Sequence, residues 1–61
     1  MKEVNKRYVV RNKDGEYQAA YNLALGKEKA RSYALDCAKS VNGVVYYSEG
    51  EKEQELYRIE D

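Results

Sequence analysis

An Asp-Gly pair between two short alternating segments is the strongest local signal in this chain. Residues 6–12 (KRYVVRN) precede it and residues 16–22 (EYQAAYN) follow it. Asp14-Gly15 suits the two central positions of a type I′ turn, both of which need a positive φ. We therefore predict a β-hairpin with a two-residue loop. Its register sets four pairs opposite each other: Tyr8 and Tyr21, Val10 and Ala19, Asn12 and Tyr17, Lys13 and Glu16.

A stripe of small apolar residues follows Gly26. Its members recur at intervals of three and four, the spacing of one helix face. Asn42-Gly43 supplies a left-handed stop, so we predict a helix over about residues 27–41. Alanines spaced four apart let such a helix lie close to a sheet. The stripe consists of Ala30, Tyr33, Ala34, Cys37, Ala38 and Val41.

Two further strands are expected after the helix. Residues 44–48 (VVYYS) are β-branched and aromatic, residues 55–60 (ELYRIE) alternate, and residues 49–54 form a polar connection. Residues 19–25 (AAYNLAL) fit either a continuing strand or a helical segment, and the pattern leaves both open. The pieces predict an α+β fold of order ββαββ, with one helix packed on one face of a small antiparallel sheet. A single domain would span residues 1–61.

One face of that sheet is left without a helix. Val9 and Ala20 would lie there, with either Val44 and Tyr46 or Val45 and Tyr47. A chain of 61 residues builds only a thin core. Burying the spare face against a second copy adds core without adding chain, so we predict a homodimer that associates through the sheet.

Composition excludes several classes of chemistry. The chain has no histidine and one cysteine, Cys37, which argues against triad hydrolysis, zinc sites and an internal disulfide. No phosphate-binding glycine motif occurs, so we expect no enzyme activity, no cofactor and no metal. No apolar run is long enough for a membrane span or a signal peptide, and the expected location is the cytoplasm.

Charge is divided unevenly although it sums to zero. Residues 1–31 carry a net charge of +4 and residues 32–61 a net charge of −4. Basic and aromatic side chains on the first hairpin are typical of surfaces that bind single-stranded nucleic acid, through phosphate contacts and base stacking. That alternative function would use Arg7, Arg11, Lys13 and Tyr17.

Residues 8–17 (YVVRNKDGEY), a Lys/Glu/Ala-rich helix and a following Gly-Val-Val strand resemble small orphan proteins of phages and prophages of Gram-positive bacteria. The resemblance implies an accessory or host-interaction role and transfers no functional residue. Together with the unpaired sheet face, it favours a non-enzymatic protein-interaction module.

Overall fold

Four strands and one helix follow one another in the order ββαββ, which confirms the predicted fold class. The computed structural model describes residues 5–59. Its elements are β1 (Lys6–Arg11), β2 (Tyr17–Asn22), a 3₁₀ turn (Leu23–Leu25), α1 (Lys27–Val41), β3 (Val44–Glu49) and β4 (Lys52–Arg58). The sheet is antiparallel with strand order β2-β1-β3-β4, so β1 and β3 are central and β2 and β4 are its edges.

The predicted pairing of the first hairpin is correct in its middle. Tyr8 lies opposite Tyr21, and Val10 lies opposite Ala19. Closer to the loop a bulge shifts the register, so that Tyr17 pairs with Arg11. The predicted pairing of Tyr17 with Asn12 is therefore wrong.

The loop itself is a three-residue turn rather than a type I′ turn. Asn12 N–H donates to the Glu16 carbonyl at 2.9 Å, and Gly15 N–H donates to the Asn12 carbonyl at 3.0 Å. Gly15 has a φ of +83°, whereas Asp14 has no positive φ. The Asn12 side-chain oxygen also accepts from the backbone N–H groups of Asp14 and Glu16. This arrangement needs one left-handed residue instead of two, and it satisfies two extra backbone donors.

Residues 19–25 divide between a strand and a short turn. β2 continues to Asn22, whose side-chain oxygen accepts from Ala24 N–H at 2.8 Å and so begins the 3₁₀ turn. Gly26, with a φ of +113°, separates that turn from α1. The strand interpretation therefore holds through residue 22.

The helix packs its alanine stripe against the sheet. Ala30, Ala34 and Ala38 are fully buried against Tyr8 and Val10 of β1 and against Val45 of β3. Tyr33, expected in the same stripe, is 50% exposed, and Leu35 packs against the core from the opposite flank.

The helix ends at the predicted Asn42-Gly43 stop. Asn42 is the left-handed residue of the pair (φ 51°), and Gly43 N–H donates to the Ala38 carbonyl at 2.8 Å. Gly43 is required for another reason, because a Cβ there would lie 2.2 Å from the carbonyl oxygen of Arg11.

The strand predicted near residues 55–60 begins earlier, at Lys52. Gly50 and Glu51 form a two-residue turn, and Glu49 pairs with Lys52. Every residue of β4 is exposed, and charged residues are tolerated there because an edge strand faces water. Residue 60 lies outside the described residues.

The valines on the sheet face without the helix are buried within the single chain, whereas the sequence predicted an uncovered apolar face. Val44 and Tyr46 lie on this face with Val9, yet Val9 and Val44 are each only 4% exposed within the single chain. The register sets Tyr46 beside Val9 and sets Arg11 and Arg58 on either side of Val44. Long side chains at such positions commonly lay their stems along apolar neighbours, and burial of the two valines is consistent with this arrangement.

Candidate functional site

A concave surface lies on the helix side of the sheet, between the first turns of α1 and the edge strand β4. We call it the α1–β4 groove, and its volume is about 1010 Å³. Its apolar floor and walls are formed by Tyr8, Leu23, Val45, Tyr47, Leu56 and Tyr57. Its charged rim is formed by Lys6, Lys27, Glu28 and Arg31.

The groove exists because the helix is displaced toward one side of the sheet. α1 packs chiefly over β1 and β2, less over β3, and leaves β4 beside it rather than beneath it. The small alanines of the buried stripe let the helix lie close to the strands beneath it. The space left over β3 is the groove.

A bulge in β4 turns two consecutive side chains toward this groove. The register between β3 and β4 shifts so that Val45 pairs with Tyr57 while Tyr46 pairs with Glu55, which leaves Leu56 as the extra residue. A bulge interrupts strict alternation, and both Leu56 and Tyr57 line the groove. Sequence reasoning missed this pair, because alternation puts neighbours on opposite faces and the sequence carries no signal for the bulge.

Arg31 and Tyr57 join the helix to the edge strand across the groove. The Arg31 guanidinium carbon lies 5.3 Å from the centre of the Tyr57 ring, within the range of a cation–π contact. Its Nη2 also donates to the Tyr57 hydroxyl. Since Tyr57 is 41% exposed, the pair is accessible from water.

The rim is cationic. Three basic side chains, Lys6, Lys27 and Arg31, stand against one carboxylate, Glu28. The Lys6 ammonium is 3.8 Å from a carboxylate oxygen of Glu49, and both side chains are about half exposed, so water screens this pair. Within residues 5–59, no carboxylate forms an ion pair with Lys27 or Arg31.

The residues predicted for nucleic-acid binding lie elsewhere. Arg7 and Arg11 are on the face of the sheet opposite the helix, Tyr17 lies beside Arg11 and is 60% exposed, and Lys13 is in the hairpin loop. The structure thus brings Arg11 and Tyr17 together. It also sets Arg11 against Glu53, with Nε and Nη2 at 3.4 and 3.3 Å from the two carboxylate oxygens.

A second cluster joins β2 to the helix on the side away from the groove. Tyr21 and Tyr33 have ring centres 5.8 Å apart, and Cys37 is half-buried against the core. Desolvation raises the pKa of the Tyr21 hydroxyl above its ordinary value, and neighbouring Cys37 and Asp36 raise it further. Because Cys37 packs on the helix stripe, it acts as a small apolar side chain here.

Within residues 5–59, no group of three or more acidic or cysteine side chains is placed to hold a metal ion. Among the same residues, no helix has both the length and the apolar character needed to cross a membrane. Comparison of the chain with protein-family models, with curated proteins and with solved structures found no match.

Proposed function

We propose that this chain is a non-enzymatic protein-interaction module that binds a segment of a partner protein in the α1–β4 groove. The observation that carries the proposal is the pair of exposed apolar side chains, Leu56 and Tyr57, beside a buried apolar floor. Concave apolar sites with a few charged groups at their rim are the usual form of binding sites. A partner that covers this groove would bury surface that the single helix leaves open.

The resemblance to small phage and prophage proteins supports an accessory role in the host cytoplasm. A protein that acts by contacting a host protein needs a docking surface and no catalytic centre. The α1–β4 groove supplies a surface of that kind.

Self-association through the sheet stays a prediction. The argument for it was an uncovered apolar face, and the two valines of that face are already buried within one chain. The homodimer proposal therefore rests on the small size of the core alone. Sedimentation at micromolar concentration tests it, and a particle of 7.1 kDa would refute it.

Single-stranded nucleic-acid binding through Arg7, Arg11, Lys13 and Tyr17 is the alternative function. Arg11 and Tyr17 are adjacent, which favours it. The Glu53 carboxylate offsets the charge of Arg11, which weakens it. Titration with oligothymidylate at low salt distinguishes the two functions, since electrostatic contacts are strongest there.

Peptide display tests the proposed function directly. The immobilised wild-type protein is used to select from a library of random twelve-residue peptides, and we expect a family of related sequences to be enriched. Leu56→Asp should abolish that enrichment because it puts a charge into the apolar wall.

Leu25→Asp is the matched control. Leu25 is 56% exposed, comparable with Leu56 at 44%, and it does not line the groove. Enrichment that survives Leu56→Asp, or that Leu25→Asp removes equally, would contradict binding in the groove. Thermal unfolding of both variants shows that each remains folded.

A further inference from the structure

Resting on the proposed function, we infer that the partner segment is acidic and carries an aliphatic side chain next to its carboxylates. The aliphatic side chain would lie between Leu23 and Leu56, and a carboxylate would bind Lys27 and Arg31. Charge complementarity is the first argument, because two basic side chains on the rim of the α1–β4 groove, Lys27 and Arg31, have no ion-pair partner among residues 5–59, and Glu28 is the one acidic side chain of that rim.

The two basic residues on the helix are spaced to act together. Lys27 and Arg31 are four residues apart on α1, so they lie on one face, with Cβ atoms about 5–6 Å apart. Both line the groove, and neither is ion-paired within the described chain. A carboxylate between them would complete two charge-assisted hydrogen bonds.

Tyr57 prepares Arg31 for this contact. The ring lies 5.3 Å from the guanidinium carbon, and the hydroxyl accepts from Nη2, so the side chain is held over the groove before a ligand arrives. A guanidinium has five N–H donors, and the hydrogen bond to the Tyr57 hydroxyl uses only one end of the group, which leaves other donors for a ligand. Holding the cation in place in advance reduces the entropy lost on binding.

The lining favours a peptide over a nucleic acid. Base stacking needs an exposed aromatic ring face, but Tyr8 is buried and the Arg31 guanidinium already covers one face of Tyr57. Among the residues that line the groove, the other exposed apolar side chain is Leu56, which offers no π surface. Aliphatic and aromatic peptide side chains pack well against such walls.

A second display selection tests the inference. Its peptides contain only aspartate, lysine, leucine, serine and glycine, in equal proportion at each of twelve positions. Wild-type protein should enrich sequences in which aspartate neighbours leucine. The double variant Lys27→Glu/Arg31→Glu should reverse the preference to lysine beside leucine.

A control variant with the same net charge separates local from global electrostatics. Lys29→Glu/Lys39→Glu changes two exposed helix residues that do not line the groove. It should keep the aspartate preference. If it reverses the preference as fully as the groove variant does, the effect comes from net charge and the inference is overturned.

Binding of one selected peptide, labelled with fluorescein, then gives the size of the effect. Loss of one charge-assisted hydrogen bond in Arg31→Gln should weaken binding at least about tenfold. Lys39→Gln should leave the dissociation constant within about twofold. Added salt should weaken wild-type binding, because the contacts are ionic and partly exposed.

The outcomes separate the inference from the function on which it rests. Enrichment of leucine without aspartate, or with lysine, would overturn the acidic partner and leave the groove as a docking site. If no enrichment depends on Leu56, both the acidic partner and binding in the groove are overturned. Binding of oligothymidylate that Arg31→Gln abolishes would overturn both in favour of nucleic acid.

Discussion

Replacing Gly43 with alanine would show how tightly the chain turns from α1 into β3. The added Cβ would lie 2.2 Å from the carbonyl oxygen of Arg11 and 3.0 Å from Val41 Cγ2, whereas ordinary van der Waals contacts lie at 3.4–4 Å. That oxygen belongs to β1, the sheet neighbour of β3. The two central strands would therefore have to separate locally by about 1 Å.

The free-energy cost of Gly43→Ala depends on which atom the added Cβ meets. Overpacking costs about 1–3 kcal/mol, and the upper end applies because a backbone carbonyl cannot rotate aside. The lower chain entropy of alanine in the unfolded state offsets about 0.4–1 kcal/mol. The net loss is about 2 kcal/mol, which lowers the Tm of a chain this short by about 8–16 °C.

Thermal and urea unfolding, followed by far-ultraviolet circular dichroism, measures this loss. Gly15→Ala is the control, because Gly15 has a φ of +83° and a Cβ there would meet no atom within 4 Å. Backbone strain alone should cost about 1 kcal/mol at that position. A Gly43→Ala variant within about 0.5 kcal/mol of wild type, or one less destabilised than Gly15→Ala, would refute the close approach.

Three further predictions concern the core, a titrating tyrosine and an ion pair. Ala34→Leu should lower the free energy of unfolding by about 1–3 kcal/mol, because Ala34 is fully buried between helix and sheet, whereas Ser32→Leu on the exposed face should change it by less than about 0.5 kcal/mol. If Ala34→Leu and Ser32→Leu change the free energy of urea unfolding equally, the alanine-lined contact between helix and sheet is ruled out. The raised pKa of Tyr21 means that the neutral phenol stabilises the fold; its contribution is complete below its unfolded pKa of about 10 and is lost as pH rises through the raised folded pKa. Tyr21→Phe should therefore reduce the loss of stability at alkaline pH, measured as Tm against pH. Tyr17→Phe should leave that loss nearly unchanged. If Tyr17→Phe reduces the loss more than Tyr21→Phe does, Tyr21 is not responsible for it. Glu53→Gln should cost less than about 1 kcal/mol, since its ion pair is partly exposed, and a cost that 1 M salt does not reduce would show that the effect is not ionic.

The order and type of the elements could be predicted from the sequence because each depends on local pattern. Alternation around Asp14-Gly15 gave the hairpin, and helical spacing between Gly26 and Asn42 gave α1. The loop type was predicted wrongly because the Asn12 side-chain oxygen accepts hydrogen bonds from two backbone N–H groups. That contact stabilises a turn with a single left-handed glycine, and the Asp-Gly pair does not distinguish it from a type I′ turn.

The candidate site could not be predicted in the same way. The groove depends on where α1 lies over the sheet, which is a tertiary property, and on a bulge that turns Leu56 and Tyr57 to one side. On the face expected to bind a second copy, Val9 and Val44 are already buried within the single chain. That burial depends on what surrounds the two valines in the folded chain, and it cannot be read from Val9 and Val44 alone.

Amide chemical shifts of ¹⁵N-labelled protein, titrated with the peptide selected by display, test the central claim most directly. Binding in the α1–β4 groove predicts that the largest shifts occur at Leu23, Arg31, Leu56 and Tyr57, with small shifts around Val9 on the opposite face. Shifts that centre on Val9 and the strands beside it, with the four groove residues unchanged, would contradict the account.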